Sequence, residues 1–114
     1  MTTFSALGVH KKYIQAIKEL GILQPTEIQQ KALPILLNSK TDFIGLAQTG
    51  TGKTVAFGLP ILHQIDASFP HIQALILSPT RELVQQIKKQ LFKFTKFNET
   101  PIFLEAVFGG EKID

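Results

Sequence analysis

The chain has 114 residues, 44% of them hydrophobic and 18% charged, with a net charge of +3; this is the make-up of a globular chain of at most one domain, not of a disordered one. It has no cysteine, which excludes disulfides and thiolate-held metals and sits easily with an intracellular, cytoplasmic setting. No apolar run approaches the ~20 residues that span a bilayer, and the start, Met1-Thr2-Thr3-Phe4-Ser5, lacks the basic and apolar blocks of a secretory signal. A membrane is therefore not an expected partner, and the mild positive charge permits a polyanionic one without arguing for it.

Taken in order, residues 9–20 place Tyr13, Ile14, Ile17 and Leu20 on one helical face, and Gly21 is a natural stop. Thr26 followed by Gln29 spells a capping box, which predicts a second helix from Thr26 to about Leu37, strained by Pro34. After a polar connection comes the apolar run Phe43-Ile44-Gly45-Leu46-Ala47, expected as a strand, and then Gln48-Thr49-Gly50-Thr51-Gly52-Lys53-Thr54. A largely apolar helix over Lys53–Ile65 follows, with Pro60 inside it. Gln73–Ser78 reads as a buried strand, Pro79-Thr80-Arg81-Glu82 opens a helix that carries Leu83, Ile87, Leu91 and Phe94 inward, and 101–108 reads as a third strand ended by Gly109-Gly110. Alternation of strands and helices predicts an α/β fold with a parallel sheet.

The strand–turn–helix around Gly50, Gly52, Lys53 and Thr54 has the composition of a phosphate-binding loop. The glycines let the backbone approach a triphosphate closely, and the helix start offers free N–H groups and the positive end of its dipole. Lys53 supplies a charge for the β- and γ-phosphates, and Thr54 a hydroxyl for Mg²⁺. The bland alternative is a strand-to-helix turn with an incidental lysine. Ala47 stands where the general spelling has its first glycine.

Other positions carry two readings each. The Gln29 amide can face the N6/N7 edge of adenine with two hydrogen bonds, or bond back to Thr26 as a cap, which the spacing alone favours. Phe4 can be a platform for a base or a core residue. The helix start at Pro79-Thr80-Arg81-Glu82 can be a phosphate site or a plain cap with a surface arginine. Gly109-Gly110 can admit a nucleic-acid backbone or make a tight turn, and Lys88, Lys89, Lys93 and Lys96 read as a solvated face. His10, His63 and His71 share no metal-ligand spacing and read as structural or solvated.

In combination these motifs resemble the N-terminal part of a DEAD-box ATP-dependent RNA helicase, over nearly the whole chain. Gly21-Ile22-Leu23-Gln24-Pro25-Thr26-Glu27-Ile28-Gln29 is similar to the Q motif with Phe4 as its upstream aromatic, Ala47–Thr54 to motif I, Pro79-Thr80-Arg81-Glu82-Leu83 to motif Ia, and Gly109-Gly110 to the glycine doublet. The resemblance implies a P-loop NTPase of RecA-like architecture, a parallel sheet flanked by helices and incomplete in residues 1–114. It implies ATP with Mg²⁺ as the nucleotide, with Phe4, Gln24, Thr26 and Gln29 on the adenine side and Gln48, Thr49, Gly50, Thr51, Gly52, Lys53 and Thr54 on the phosphates. It implies single-stranded or duplex RNA held through its backbone by Pro79, Thr80, Arg81, Glu82, Gly109 and Gly110. The sequence has no Asp-Glu-Ala-Asp and no Ser-Ala-Thr, and a second RecA-like domain is absent. The expectation is therefore a fragment that binds nucleotide at most and leaves ATPase turnover to a longer parent; its uncovered strands imply an oligomer, a marginal fold, or cover by further residues of that parent. Another P-loop ATPase or kinase, which has no use for Gln29 and Thr80-Arg81, and a nucleotide- or RNA-binding module without hydrolysis are the alternatives.

Overall fold

The computed structural model describes residues 2–47 and 52–107, and contains four helices: α1, Lys11–Glu19; α2, Glu27–Asn38; α3, Lys53–Gln64; and α4, Arg81–Phe94. Helices α2, α3 and α4 begin where the sequence signals a start. His10 caps α1 by accepting from the Lys12 amide at 3.1 Å, and Thr26 opens α2 through the expected capping box. Thr80 caps α4 by accepting from the Leu83 amide at 3.2 Å. The end of α1 is a Schellman motif: Gly21, at φ +85°, donates to Lys18 O, and Ile22 donates to Ile17 O, each at 3.0 Å. Helix α2 runs unbroken through Pro34, and α3 through Pro60.

One apolar core joins these helices. Phe4, Val9, Tyr13 and Ile17 from the N-terminal region meet Leu33 of α2, Val55, Leu59 and Leu62 of α3, and Leu91 and Phe94 of α4. Helices α2 and α3 pack most extensively, and α4 lies against α1 and α3. Gly58 is the contact that brings α3 and α4 together, since a Cβ there would stand 2.6 Å from Leu91 Cδ2. Buried residues ring α3, as its all-round apolar sequence requires. Leu83 departs from the expected inward face of α4 and is 42% exposed.

No strand forms among the described residues, so the helices of the expected α/β architecture are present and its sheet is not. The three runs expected as strands do carry half of a strand's pattern. Ile76, Ile102 and Leu104 pack against the core, while Leu75, Leu77 and Phe103 beside them face solvent, as do Ile44 and Leu46 of the run before α3. A parallel sheet is covered on both faces; here helices cover one side of these runs. Phe108, Gly109 and Gly110 lie outside the described residues.

Candidate nucleotide site at the start of helix α3

Gly52 immediately precedes α3 in a left-handed conformation, φ 86° and ψ 26°. Its carbonyl closes the first turn of α3 by accepting from Ala56 N at 3.2 Å. The same carbonyl accepts from Gln29 Nε2 at 3.0 Å, while Gln29 Oε1 accepts from Thr26 N at 2.9 Å. One buried amide, 1% exposed, thus fastens the start of α2 to the start of α3. The fit leaves no room for a side chain on residue 52. A Cβ there would come within 2.2 Å of Gln29 Nε2 and 3.2 Å of Thr26 Oγ1, on a backbone that only glycine adopts readily.

The sequence offers Gln29 two roles, cap or adenine reader. The structure contains the cap and adds a tie to Gly52 that spans 23 residues. Nothing in local sequence announces that tie. The nearest signal is the obligate glycine at 52, and glycine there is already accounted for by the phosphate-loop spelling.

Among the described residues two of the four hydrogen-bonding valences of the Gln29 amide are used, leaving one N–H and one lone pair. Thr26 is half-buried and Gln24 is exposed. Phe4 is 3% exposed, a member of the core rather than an open platform. Lys53 is exposed and Thr54 half-exposed on the first turn of α3, which has no acidic residue to offset the positive end of the helix. Gln48, Thr49, Gly50 and Thr51 lie outside the described residues.

The far end of α3 is held as well. Tyr13 of α1 donates its hydroxyl to Leu62 O at 3.2 Å, and the same hydroxyl accepts from Asn98 Nδ2 at 3.3 Å. Burial raises the Tyr13 pKa, which keeps that hydroxyl protonated as a donor. His63 sits with Nδ1 2.6 Å from Leu59 O, and its Nε2 accepts from His10 N at 3.0 Å. This pattern fixes the neutral tautomer with the proton on Nδ1, and burial lowers the His63 pKa in the same sense. His10 and His63 are thus structural, and no cluster of metal-ligating side chains is present among the described residues.

The other sequence-singled position lies at the start of α4. Pro79, Thr80, Arg81 and Glu82 are all exposed there, and the Thr80 hydroxyl oxygen serves as the cap. While accepting there, the hydroxyl keeps its O–H as a donor. Among the described residues no helix is long and apolar enough to cross a membrane.

Comparison with known proteins places these features in one family. A profile of the DEAD/DEAH box helicases matches residues 26–114. The ATP-dependent RNA helicase CshA of Listeria monocytogenes serovar 1/2a is 44% identical over 113 residues, which is 99% of this chain and 21% of that protein. The chain spans about a fifth of that relative's length. The crystal structure of a DEAD box protein from the hyperthermophile Methanococcus jannaschii superposes with a TM-score of 0.89 at 29% identity, over 98% of this chain and 30% of that one. Dbp5 of S. cerevisiae bound to RNA and ADP BeF3 superposes with a TM-score of 0.82 at 30% identity, over 99% of this chain and 30% of that one. With a braced glycine–lysine–threonine helix start, the capping box it is tied to, and a family profile running from Thr26 to Asp114, the chain belongs to the DEAD/DEAH box helicase family.

Proposed function

We propose that this chain is the ATP-binding part of an ATP-dependent RNA helicase, and that residues 1–114 correspond to the N-terminal portion of its first RecA-like domain. The runs around 43–47, 73–78 and 101–107 are then strands of its parallel sheet. The observation that carries the reading is the Gln29 bridge. The Gln29 side chain of α2 fixes the carbonyl of Gly52, and with it the direction in which the first amides of α3 point. Pre-aimed amides at a helix start are what an anionic triphosphate needs.

In this reading Lys53 supplies the charge to the outer phosphates. The Thr54 hydroxyl, one position further, is the protein group that would hold Mg²⁺, a hard cation suited to an oxygen donor. Gln48, Thr49, Gly50 and Thr51 complete the loop. Gln29 and Thr26, with Gln24 at the rim, lie on the adenine side, and the two unused valences of the Gln29 amide match the N6/N7 edge. Phe4 packs in the core cluster that also holds Leu33 of α2 and Val55 of α3. Thr80 and Arg81 at the start of α4, with Pro79, Glu82 and the Gly109-Gly110 doublet, contact the RNA backbone without reading sequence, so that binding weakens steeply with salt. The exposed apolar side chains of the strand runs favour self-association of the chain when it stands alone. In this reading the remaining helicase motifs, the second RecA-like domain and full turnover of ATP belong to a longer parent protein.

Titration with fluorescent ADP and GDP in Mg²⁺ tests the nucleotide assignment. The expected result is binding of ADP in preference to GDP, lost preference in Gln29→Ala and weakened binding of both nucleotides in Lys53→Ala. Equal binding of ADP and GDP by the unaltered chain would overturn the adenine assignment.

A further inference from the structure

Helix α4 carries a stripe that the nucleotide site does not use. At ~100° per residue, Arg81, Gln85, Lys88, Lys89 and Phe92 fall within one outer sector of the helix, opposite the buried Leu91 and Phe94. All five are exposed, and Phe92 is 69% exposed in the middle of this basic surface. Lys93 borders it. Among the described residues neither Lys88, Lys89 nor Lys93 forms an ion pair, whereas Lys96, just past the helix, is neutralised by Glu19. Beside Phe92 a groove of about 600 Å³ opens between α1 and α4, walled by Leu20, Pro101 and Ile102 and, on its polar side, by Asn98 and the Glu19–Lys96 ion pair.

A merely solvated face does not need a large aromatic at its centre. Lysines alone attract any polyanion. Lysines around an exposed ring fit a polymer that alternates phosphates with flat bases, because phosphate neutralisation and base–aromatic stacking then act together. The stripe is convex and offers no backbone partners to an extended acidic peptide. It also begins at Arg81, so it continues the line of the strand-to-helix junction. From Arg81 to Lys93 the helix rises about 18 Å, roughly five phosphates of a stacked strand.

We propose that the outer stripe of α4, from Arg81 through Lys88 and Lys89 to Phe92 and Lys93, is a second contact line for single-stranded RNA, with Phe92 stacking a base at the mouth of the α1–α4 groove. The proposal rests on the reading of the Thr80-Arg81 junction as an RNA contact and extends it away from the nucleotide.

The test is fluorescence anisotropy of the full chain with 5′-labelled oligouridylates of 4 and 12 nucleotides over a salt series, with thermal melts as a control for folding. Phe92→Ala is expected to weaken binding of the 12-mer about 5- to 150-fold, the equivalent of one stacked base, and Phe92→Tyr to restore it. Lys88→Gln with Lys89→Gln is expected to lower the slope of log K against log salt by about 1.4, two phosphates of a single strand. Neither change should alter binding of the 4-mer. Unaltered 12-mer binding and slope in all these variants would overturn the stripe. So would displacement by polyglutamate at equal charge with no effect of Phe92→Ala, which marks an indiscriminate cation surface. The two readings separate through Thr80→Ala with Arg81→Gln: loss confined to that pair retains the junction and overturns the stripe, whereas loss confined to Phe92 and the lysines supports the stripe and removes the junction.

Discussion

Replacing Gly52 by alanine should be among the most damaging single-methyl changes in the chain, and the structure says why and by how much. Residue 52 has φ +86°, and an L-residue in the left-handed region costs roughly 1–2 kcal/mol. The new Cβ would stand 2.2 Å from Gln29 Nε2, closer than any real contact, so the amide must leave. Its departure breaks the bonds to Gly52 O and Thr26 N and strands buried polar atoms, for about 1–3 kcal/mol more. The sum is roughly 2–5 kcal/mol. Most of it disappears if the amide is already gone. In a Gln29→Ala background the added methyl meets only open space and Thr26 Oγ1, so Gly52→Ala should cost there only the backbone term, about 1–2 kcal/mol. A double-mutant cycle by urea unfolding, followed by far-ultraviolet circular dichroism, should therefore give a coupling of about 1–3 kcal/mol between two residues distant in sequence. Additivity within ~0.5 kcal/mol would refute the claim that Gln29 and Gly52 are locked to each other.

Two other outcomes follow from the same geometry. His63 is neutral in the folded chain, accepting from His10 N while its neighbours are His10, Lys12 and the Tyr13 ring. Its pKa is lowered from 6.5, by burial first, so the unfolded chain binds more protons in acid; stability is fully present above about pH 6.5 and falls as the pH drops from there through the depressed folded value. Melting temperature against pH should show this decline, and His63→Gln, which keeps an acceptor but cannot be protonated, should flatten it; an equally steep decline in the variant would assign it to other groups. For the uncovered runs, Leu46 and Phe103 are 91% and 92% exposed, and Leu46→Ser with Phe103→Ser should shift light-scattering mass toward the monomer at equal concentration; an unchanged oligomer distribution would place self-association elsewhere.

The sequence displays what is local and hides what is distant. The starts of α2 and α4 were legible because their caps are written within four residues, Thr26 before Gln29 and Thr80 before Leu83; the His10 cap, which starts α1 at Lys11 rather than at residue 9, was not. The stop after α1 was legible because Gly21 alone takes the left-handed turn there cheaply. The fate of Phe4 was not legible, since one aromatic near a terminus is equally compatible with a base and with a core; packing against the helices decided it. The Gln29–Gly52 and Tyr13–Leu62 bonds span 23 and 49 residues, beyond any local pattern. The strand runs show the opposite case. Their continuous apolar character was plain, yet apolar side chains supply only the faces of a sheet, and the ladder requires neighbours and cover that α1–α4 provide on one side.

These distant bonds share a logic. Helix α3 is held at both ends by residues that precede it in the chain. At its start Gln29 of α2 grips Gly52 O; at its end Tyr13 of α1 grips Leu62 O, and the cap residue His10 donates its backbone amide to His63. A helix pinned at two points cannot slide or rotate about its axis without breaking buried hydrogen bonds, and each is costly to leave unmade. The N-terminal region is therefore a brace that sets the attitude of α3. Because Tyr13 also accepts from Asn98, which follows α4, the helix that bears the proposed RNA stripe is anchored to the same hydroxyl. A displacement of α4 therefore meets α3 in two places, by direct packing of Leu91 at Gly58 and, through Asn98, at the Tyr13 hydroxyl bonded to Leu62 O. Coupling between the two proposed ligand surfaces should accordingly be sensitive to Tyr13→Phe, a change that deletes both bonds while keeping the ring in the core.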